Sequence, residues 1–103
     1  MVVDVDLQAE PAVVTLESPE DCTAFAVRAR GDGSGLGAAL EAAGVGRMGG
    51  DEALIEVDAV RRLAAGRVAD GWDADFAAML RYAEGKGWIA DDGRSIRAHV
   101  EGT

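Results

Sequence analysis

Gly33-Ser-Gly-Leu-Gly-Ala38 is the segment of this sequence that comes nearest to a known ligand-binding motif. It loosely fits the dinucleotide-binding pattern G-x-G-x-x-A, in which glycines let the backbone approach a pyrophosphate. Asp51 and Glu52 follow where that motif places an acid for the ribose. The pattern has this meaning only between a strand and a helix, and the residues before it favour a helix. A chain of 103 residues also leaves no room for a doubly wound sheet, so we interpret the segment as a flexible connection and expect no cofactor.

The single histidine and the single cysteine do not form a catalytic arrangement. No Ser, Cys or carboxylate is spaced to build a triad with His99, which we place on the exposed face of a strand. Cys22 lies on an apolar face and near acids, which raise rather than lower a thiol pKa. One cysteine also excludes an internal disulfide and a thiolate zinc site. We therefore predict no catalytic residue and interpret Cys22 as a small core residue.

Two groups of aspartates have the chemistry to attract a cation. Asp70, Asp73 and Asp75 form one group, and Asp91 with Asp92 forms the other. Neither group is part of a six-ligand loop pattern, and capping and turn roles account for most of these side chains. We predict no metal site.

The arginines are the candidate contacts to nucleic acid. The chain has a formal net charge of -9, but most of its arginines lie in the second half. Six of them are candidates: Arg61, Arg62, Arg67, Arg81, Arg94 and Arg97. The alternative is that they solvate an otherwise acidic surface, and the overall charge favours this alternative because it repels phosphate.

Residues 1–30 hold the elements that are hardest to assign. Residues 2–7 and 12–17 are each strand candidates, so residues 1–17 form either N-terminal strands or an arm. Ser18-Pro19-Glu20-Asp21 is typical of a helix start and predicts a helix that continues to residue 30. The competing interpretation is a strand over residues 23–30, in which Phe25, Val27 and Ala29 alternate inward. We favour the helix because of its cap.

The second part of the chain alternates helices and strands. The spacing predicts a helix over residues 36–43, a loop over 46–51, a strand over 53–57 and a short helix over 59–65 that Asp58 caps. An apolar stripe then predicts a longer helix over residues 73–84, with Asp73 as its cap and Trp72, Phe76 and Leu80 facing inward. Asp58 and Arg62 are spaced for an i, i+4 ion pair.

A β-hairpin completes this order. Asp91-Asp92-Gly93 is a turn motif in which the glycine takes a positive φ. Residues 95–101 alternate, with Ile96, Ala98 and Val100 on a buried face and Arg97, His99 and Glu101 on the other.

The order of elements from residue 34 resembles a winged-helix domain, in which a helix-turn-helix is followed by a β-hairpin wing. This resemblance implies an α+β single domain over residues 1–103. Residues 34–103 form its winged-helix-like core, and residues 1–17 with one extra helix are added to it. It also implies that the helix over residues 73–84 takes the place of a recognition helix. That helix offers one arginine, Arg81, behind two aspartates, which argues against base reading.

Composition limits the function further. Hydrophobic residues make up 49% and charged residues 28%, which is typical of a globular domain. No apolar run is long enough to cross a membrane, and no basic segment precedes an apolar one at the start, so we expect a cytoplasmic protein without a signal peptide. The abundance of alanine, glycine and arginine over lysine suggests a bacterial genome of high GC content.

From the sequence we predict a non-enzymatic protein-interaction or regulatory module that acts as a monomer or homodimer. Its expected partner is another protein, identity unknown, rather than nucleic acid or a membrane. The alternative is a winged-helix DNA-binding transcriptional regulator that uses the six arginines.

Overall fold

The computed structural model describes residues 1–31 and 33–102, which form six strands and three helices. The strands are β1 (Val2–Asp6), β2 (Val13–Glu17), β3 (Ala26–Arg30), β4 (Gly46–Gly49), β5 (Glu52–Glu56) and β6 (Ser95–Gly102). The helices are α1 (Leu36–Ala42), α2 (Val57–Ala64) and α3 (Trp72–Gly85). None of the described helices is long and apolar enough to cross a membrane.

The six strands form one mixed sheet that curls into a half-barrel, with the strand order β2-β1-β3-β6-β5-β4. β3 runs parallel to both of its neighbours, β1 and β6. β2 is antiparallel to β1, while β5 is antiparallel to both β6 and β4. β6, which follows the other strands in the sequence, therefore lies in the middle of the sheet and joins two groups of strands.

The core lies on the concave face of this sheet. Alternate residues of the strands point into it, and they include Val3, Leu16, Val27 and Ile55, all with 0% exposure. The helices contribute further fully buried side chains, namely Leu40, Val60 and Phe76. One face of each strand is apolar, and the helices pack against these faces. The apolar side chains are thereby buried in a single continuous core.

The expected winged-helix fold is wrong. The winged-helix order ends in a β-hairpin wing, whereas β6 pairs with β3 on one side and with β5 on the other. Three strands, β1 to β3, also precede the first helix. The physical reason is that pairing in the sheet satisfies the backbone of these strands, and their alternating apolar residues cover the same core.

Residues 18–30 form a loop and β3, and not the favoured helix. Val27 and Ala29 are buried, as the competing strand interpretation required. Each β3 residue from Ala26 to Arg30 has a partner in β1, so pairing outweighs the local helix-start motif. The Ser18 cap is absent, since this residue has a φ of 50° and its carbonyl accepts a turn hydrogen bond from Asp21 N.

Three smaller expectations are also wrong. Residues 46–49 form β4, although we expected a loop. Asp58 and Asp73, which we expected to cap α2 and α3, lie in the first turns of these helices. The capping positions are held by Glu56 and Gly71, and neither helix has a side-chain cap hydrogen bond.

The ion pair expected between Asp58 and Arg62 does not form either. Asp58 pairs instead with Arg61 at 3.4 Å, and Arg62 donates to the carbonyl of Gly44 at 2.8 Å.

Other elements match their predictions. Strands form within residues 2–7 and 12–17, a helix begins at Leu36, and β5, α3 and β6 lie where their periodicity placed them. The turn before β6 is also confirmed, because Gly93 has a φ of 70° and its nitrogen donates to Ala90 O at 2.9 Å.

A charged cluster lies on the convex face of the sheet, on β1, β2 and β3. The Asp4 carboxylate is 3% exposed and accepts hydrogen bonds from Arg28 Nε at 2.9 Å and from Arg30 Nη2 at 2.7 Å. Glu17 pairs with Arg28 from the other side. Burial by itself would raise the pKa of Asp4, but hydrogen bonds from Arg30 and Arg28, together with their positive charges, hold it below its ordinary value.

Candidate functional site

A groove of about 850 Å³ runs between α3, the loop before β3 and the strands β5 and β6. We call it the aromatic groove. Its apolar lining includes Phe25, Met79, Tyr82, Trp88 and Ile96. Its polar lining includes Glu20, Glu52, Asp75, Arg97 and His99. The groove therefore combines apolar surface with several carboxylates.

Tyr82 and Trp88 form the most exposed part of this lining. Their side chains are 59% and 47% exposed, and their rings meet edge to face with centroids 5.8 Å apart. The Lys86 ammonium group lies 5.5 Å from the centroid of the Tyr82 ring. The contact restricts the orientation of both rings, while much of the surface of each stays exposed to water.

The hairpin before β6 positions Trp88. Arg97 N donates to Trp88 O at 2.6 Å, and Ala90 N donates to Ser95 O at 2.8 Å. The turn itself is organised by Asp92, whose carboxylate accepts hydrogen bonds from the nitrogens of both Arg94 and Ser95. The indole is therefore carried by a segment that is fastened to the central strand.

The loop over residues 18–25 fixes the other side of the groove. Pro19 O accepts a hydrogen bond from the Trp72 indole nitrogen at 2.6 Å, and Glu20 Oε1 accepts one from Ala69 N at 2.8 Å. These two contacts hold the N-terminal end of α3 against the loop that leads into β3. They use the segment that the sequence had suggested as a helix start.

The groove also brings together the only cysteine and the only histidine. Cys22 is half-buried, and burial, followed by the charge of Asp75, raises the pKa of its thiol. His99 is exposed on β6, as predicted, and no hydrogen bond joins it to Cys22 within the described ranges. A thiol held in its protonated form is a poor nucleophile, so this pair does not constitute a catalytic dyad.

The aspartates considered as metal ligands lie apart. Asp75 faces the aromatic groove, whereas Asp92 organises the turn before β6. In the part of the chain that the structure describes, no three His, Cys, Asp or Glu side chains are placed to hold a metal ion.

The glycine-rich segment borders a second, smaller cavity of about 330 Å³. This segment follows β3 and continues into the first turn of α1, so the expectation that a helix precedes it is wrong. Gly33, Gly35 and Asp51 line the cavity, while Glu52 points to the aromatic groove instead. Residue 32 lies outside the described residues. α1 has only seven residues, so the helix dipole at its N-terminus beside this cavity is weak.

The six candidate arginines lie on five different parts of the fold. Arg61 and Arg62 belong to α2, Arg67 to the loop after it, and Arg81 to α3. Arg94 lies in the turn before β6, and Arg97 lies on that strand. Arg61 is engaged by Asp58, and Arg97 lies 3.9 Å from Asp91. Contact of these arginines with nucleic acid stays a prediction.

The aromatic groove was not predicted from the sequence. The apolar stripe of α3 correctly places Trp72 and Phe76 in the core, but it does not include Trp88, which is exposed. One indication was present, because Tyr82 falls on the exposed side of the apolar stripe of α3, next to a lysine four residues on. No spacing pattern could show that Trp88 lies beside it.

No protein-family model, curated protein or solved structure matches the chain.

Proposed function

We propose that this protein is a non-enzymatic protein-interaction module that holds a segment of a partner protein in the aromatic groove. The observation that carries the proposal is the exposure of Tyr82 and Trp88 side by side in a concave surface. Aromatic residues are enriched at interfaces because they offer a large contact area with few rotatable bonds.

The distribution of exposed apolar residues supports this proposal. Within residues 1–31 and 33–102, the exposed large hydrophobic side chains are Val13, Tyr82 and Trp88. Val13 lies alone on β2, whereas the other two are in contact and line the same groove. Single exposed apolar side chains are ordinary, but a contiguous group in a concavity is typical of a binding site.

The chemistry of the groove favours binding over catalysis. The Cys22 thiol has a raised pKa, and His99 has no orienting carboxylate within hydrogen-bonding distance in the described residues. Within this part of the chain, no neighbouring side chain therefore activates the thiol as a nucleophile or orients the imidazole as its base. Arg97 and the acids of the groove are suited to recognising charges on a ligand.

The energy available from the two aromatic rings is modest. Covering the exposed halves of two such rings removes roughly 200 Å² from water. This contributes roughly 5 kcal/mol, which lies at the low end of the roughly 4–15 kcal/mol that association costs. The apolar floor of the groove and its charges must therefore contribute to any specific binding.

The winged-helix DNA-binding regulator is not proposed. The structure has a curled six-stranded sheet in place of that fold, and β6 is a central strand. Arg61 and Arg97 are paired with acids, and the formal net charge of -9 opposes binding to phosphates.

A displayed random-peptide library, selected on the immobilised protein, tests the proposed function. We expect enriched peptides with apolar anchors that weaken about tenfold or more on Trp88→Ala, since central aromatic residues dominate interface energies. Val13→Ala is the matched control, because it removes an exposed apolar side chain outside the groove.

Peptide-induced NMR shifts should be confined to the groove, at residues such as Met79 and Ile96. Failure to enrich any peptide, or peptides that bind the Trp88→Ala variant as tightly as the parent, would contradict the proposed function.

A further inference from the structure

We infer that the segment held in the aromatic groove is basic, with a lysine or arginine directed towards Glu52 and Asp75 and an apolar side chain against Tyr82 and Trp88. This inference rests on the proposed function and names the chemistry of the partner. It is carried by charge complementarity, which the following contacts establish.

The carboxylates of the groove outnumber its guanidinium groups. Glu20, Glu52 and Asp75 line it, against one arginine, Arg97, and the imidazole of His99. Arg97 lies 3.9 Å from Asp91 Oδ1, so part of its charge is directed towards that acid. The groove is therefore acidic at neutral pH, as is the whole chain with its net charge of -9.

None of the three carboxylates forms an ion pair within the described residues, and two of them, Glu52 and Asp75, accept no side-chain hydrogen bond there either. Glu20 accepts a hydrogen bond from Ala69 N. For Glu52 and Asp75, no ion pair within 4.0 Å forms with any residue in the ranges 1–31 and 33–102. Asp75 nevertheless acts on its surroundings, because its charge is one of the causes that raise the pKa of the Cys22 thiol. These two carboxylates are thus available to a cation from outside.

The aromatic end of the groove is also suited to a basic segment. The Tyr82 ring already has an ammonium group, that of Lys86, 5.5 Å from its centroid. The half-exposed indole of Trp88 is the aromatic side chain that attracts cations most strongly. The aliphatic part of a lysine or arginine packs on such rings, so basic residues near the anchor add contact area and do not disrupt it.

The spacing along α3 sets the spacing required of the partner. Asp75 and Tyr82 are separated by two turns of the helix, which corresponds to about 10 Å at the usual rise. An extended chain covers that distance in about three residues. We therefore expect a basic residue about three positions from an apolar one.

The test uses short Gly/Ser peptides with one leucine and, three positions away, an arginine or a glutamine, in both chain directions. Binding is measured by fluorescence anisotropy of a label at the peptide end. We expect the arginine peptide of one direction to bind about tenfold more tightly than its glutamine counterpart, with an advantage that decreases as salt is added. Moving the arginine next to the leucine should remove most of this advantage.

Protein variants locate the charge effect. The double variant Glu52→Gln with Asp75→Asn should reduce the preference for the arginine peptide to about twofold or less, and leave the glutamine peptide unchanged. The matched control is Glu56→Gln with Asp73→Asn, which removes two exposed carboxylates from the same strand and the same helix but outside the groove. The control variant should keep the preference.

The outcomes separate the two proposals. Equal binding of the arginine and glutamine peptides, abolished by Trp88→Ala, would overturn the basic partner and leave the interaction module standing. Peptide binding that is insensitive to Trp88→Ala, or no binding of any peptide, would overturn both. An arginine preference that survives the Glu52 and Asp75 double variant would also overturn the inference.

Discussion

Arg30 of β3 donates two hydrogen bonds to the carboxylate of Asp4 on β1, from Nε to Oδ1 at 3.1 Å and from Nη2 to Oδ2 at 2.7 Å. The two residues are not direct partners in the parallel register, where Asp4 lies opposite Arg28 and Arg30 opposite Asp6. The arginine reaches back along its strand, and with Arg28 it covers a carboxylate that is 3% exposed. Asp4 is therefore a buried carboxylate on the charged, convex face of the sheet.

Replacing Asp4 by asparagine should lower the free energy of unfolding by about 1.5–3 kcal/mol, because charged hydrogen bonds to a buried acceptor are lost. Urea unfolding followed by circular dichroism measures this change. Asp6→Asn is the control, since Asp6 lies on the same strand and the same face. A loss as large for Asp6→Asn as for Asp4→Asn would contradict this role of Asp4.

The same contact makes stability depend on pH in a defined direction. The pKa of Asp4 is lower in the folded protein than its ordinary value of 3.8, so its stabilising contribution is complete above that value. The contribution is lost as the pH falls through the lower, folded-state pKa. We expect the parent protein to lose more stability than Asp4→Asn between neutral pH and the acid range. Parallel curves for the two proteins over this range would contradict the assignment.

Phe76 and Leu80 should differ in their contribution to the core, although the apolar stripe of α3 contains both. Phe76 is fully buried, stacks on Trp72 with centroids 4.7 Å apart, and has the Arg61 guanidinium 5.4 Å from its ring centre. Leu80 is only half-buried. Phe76→Ala should therefore cost about 3–5 kcal/mol, and Leu80→Ala only about 1–2 kcal/mol. Denaturant melts of both variants compare the two, and an equal loss would contradict the partial exposure of Leu80.

Gly46 is required by the close approach of β4 to β5. A Cβ atom at this position would overlap the backbone carbonyl oxygen of Leu54. Gly46→Ala should therefore destabilise the protein by about 1–3 kcal/mol or detach β4 from the sheet. Gly85→Ala is the control, because a Cβ at the end of α3 meets open space, and it should be neutral or stabilise by up to about 1 kcal/mol. Thermal melts and amide exchange in β4 report both effects.

Binding to duplex DNA should be weak. At about 150 mM salt we expect a Kd no tighter than the ~10⁻⁴–10⁻⁶ M of non-specific contacts, because the chain has a formal net charge of -9. Fluorescence anisotropy with a labelled duplex of mixed sequence measures this. Submicromolar binding that depends on the DNA sequence would contradict the expectation and support a nucleic-acid function.

The sequence predicted the elements whose signal is local. α3 and β6 were correct because their apolar residues recur with a clear period, and the turn at Gly93 was correct because its chemistry is contained in adjacent residues. β3 was missed because its stability comes from partners far away in the chain. Ala26 lies opposite Val2 on one side and His99 on the other, and no local pattern contains either residue.

The candidate site could not be predicted for the same reason. Tyr82 and Trp88 are close in sequence, but Glu52 and Phe25 reach the groove from β5 and from the loop before β3. The exposure of Trp88 depends on which way the hairpin packs, and an aromatic residue beside an apolar strand is more often buried. Only the sheet order brings these residues together.

The central place of β6 has a consequence for the order in which the protein can be completed during translation. β1, β2 and β3 emerge from the ribosome first and can pair with one another, and β4 and β5 can pair next. The two groups have no shared hydrogen-bonded neighbour until β6 is synthesised, because it alone contacts both β3 and β5. A nascent chain that stops before residue 95 thus carries two sheet fragments with open edges, and such edges attract other strands. β6 pairs with β3, from which it is separated by most of the chain. Such non-local pairing predicts slow folding for a protein of this size.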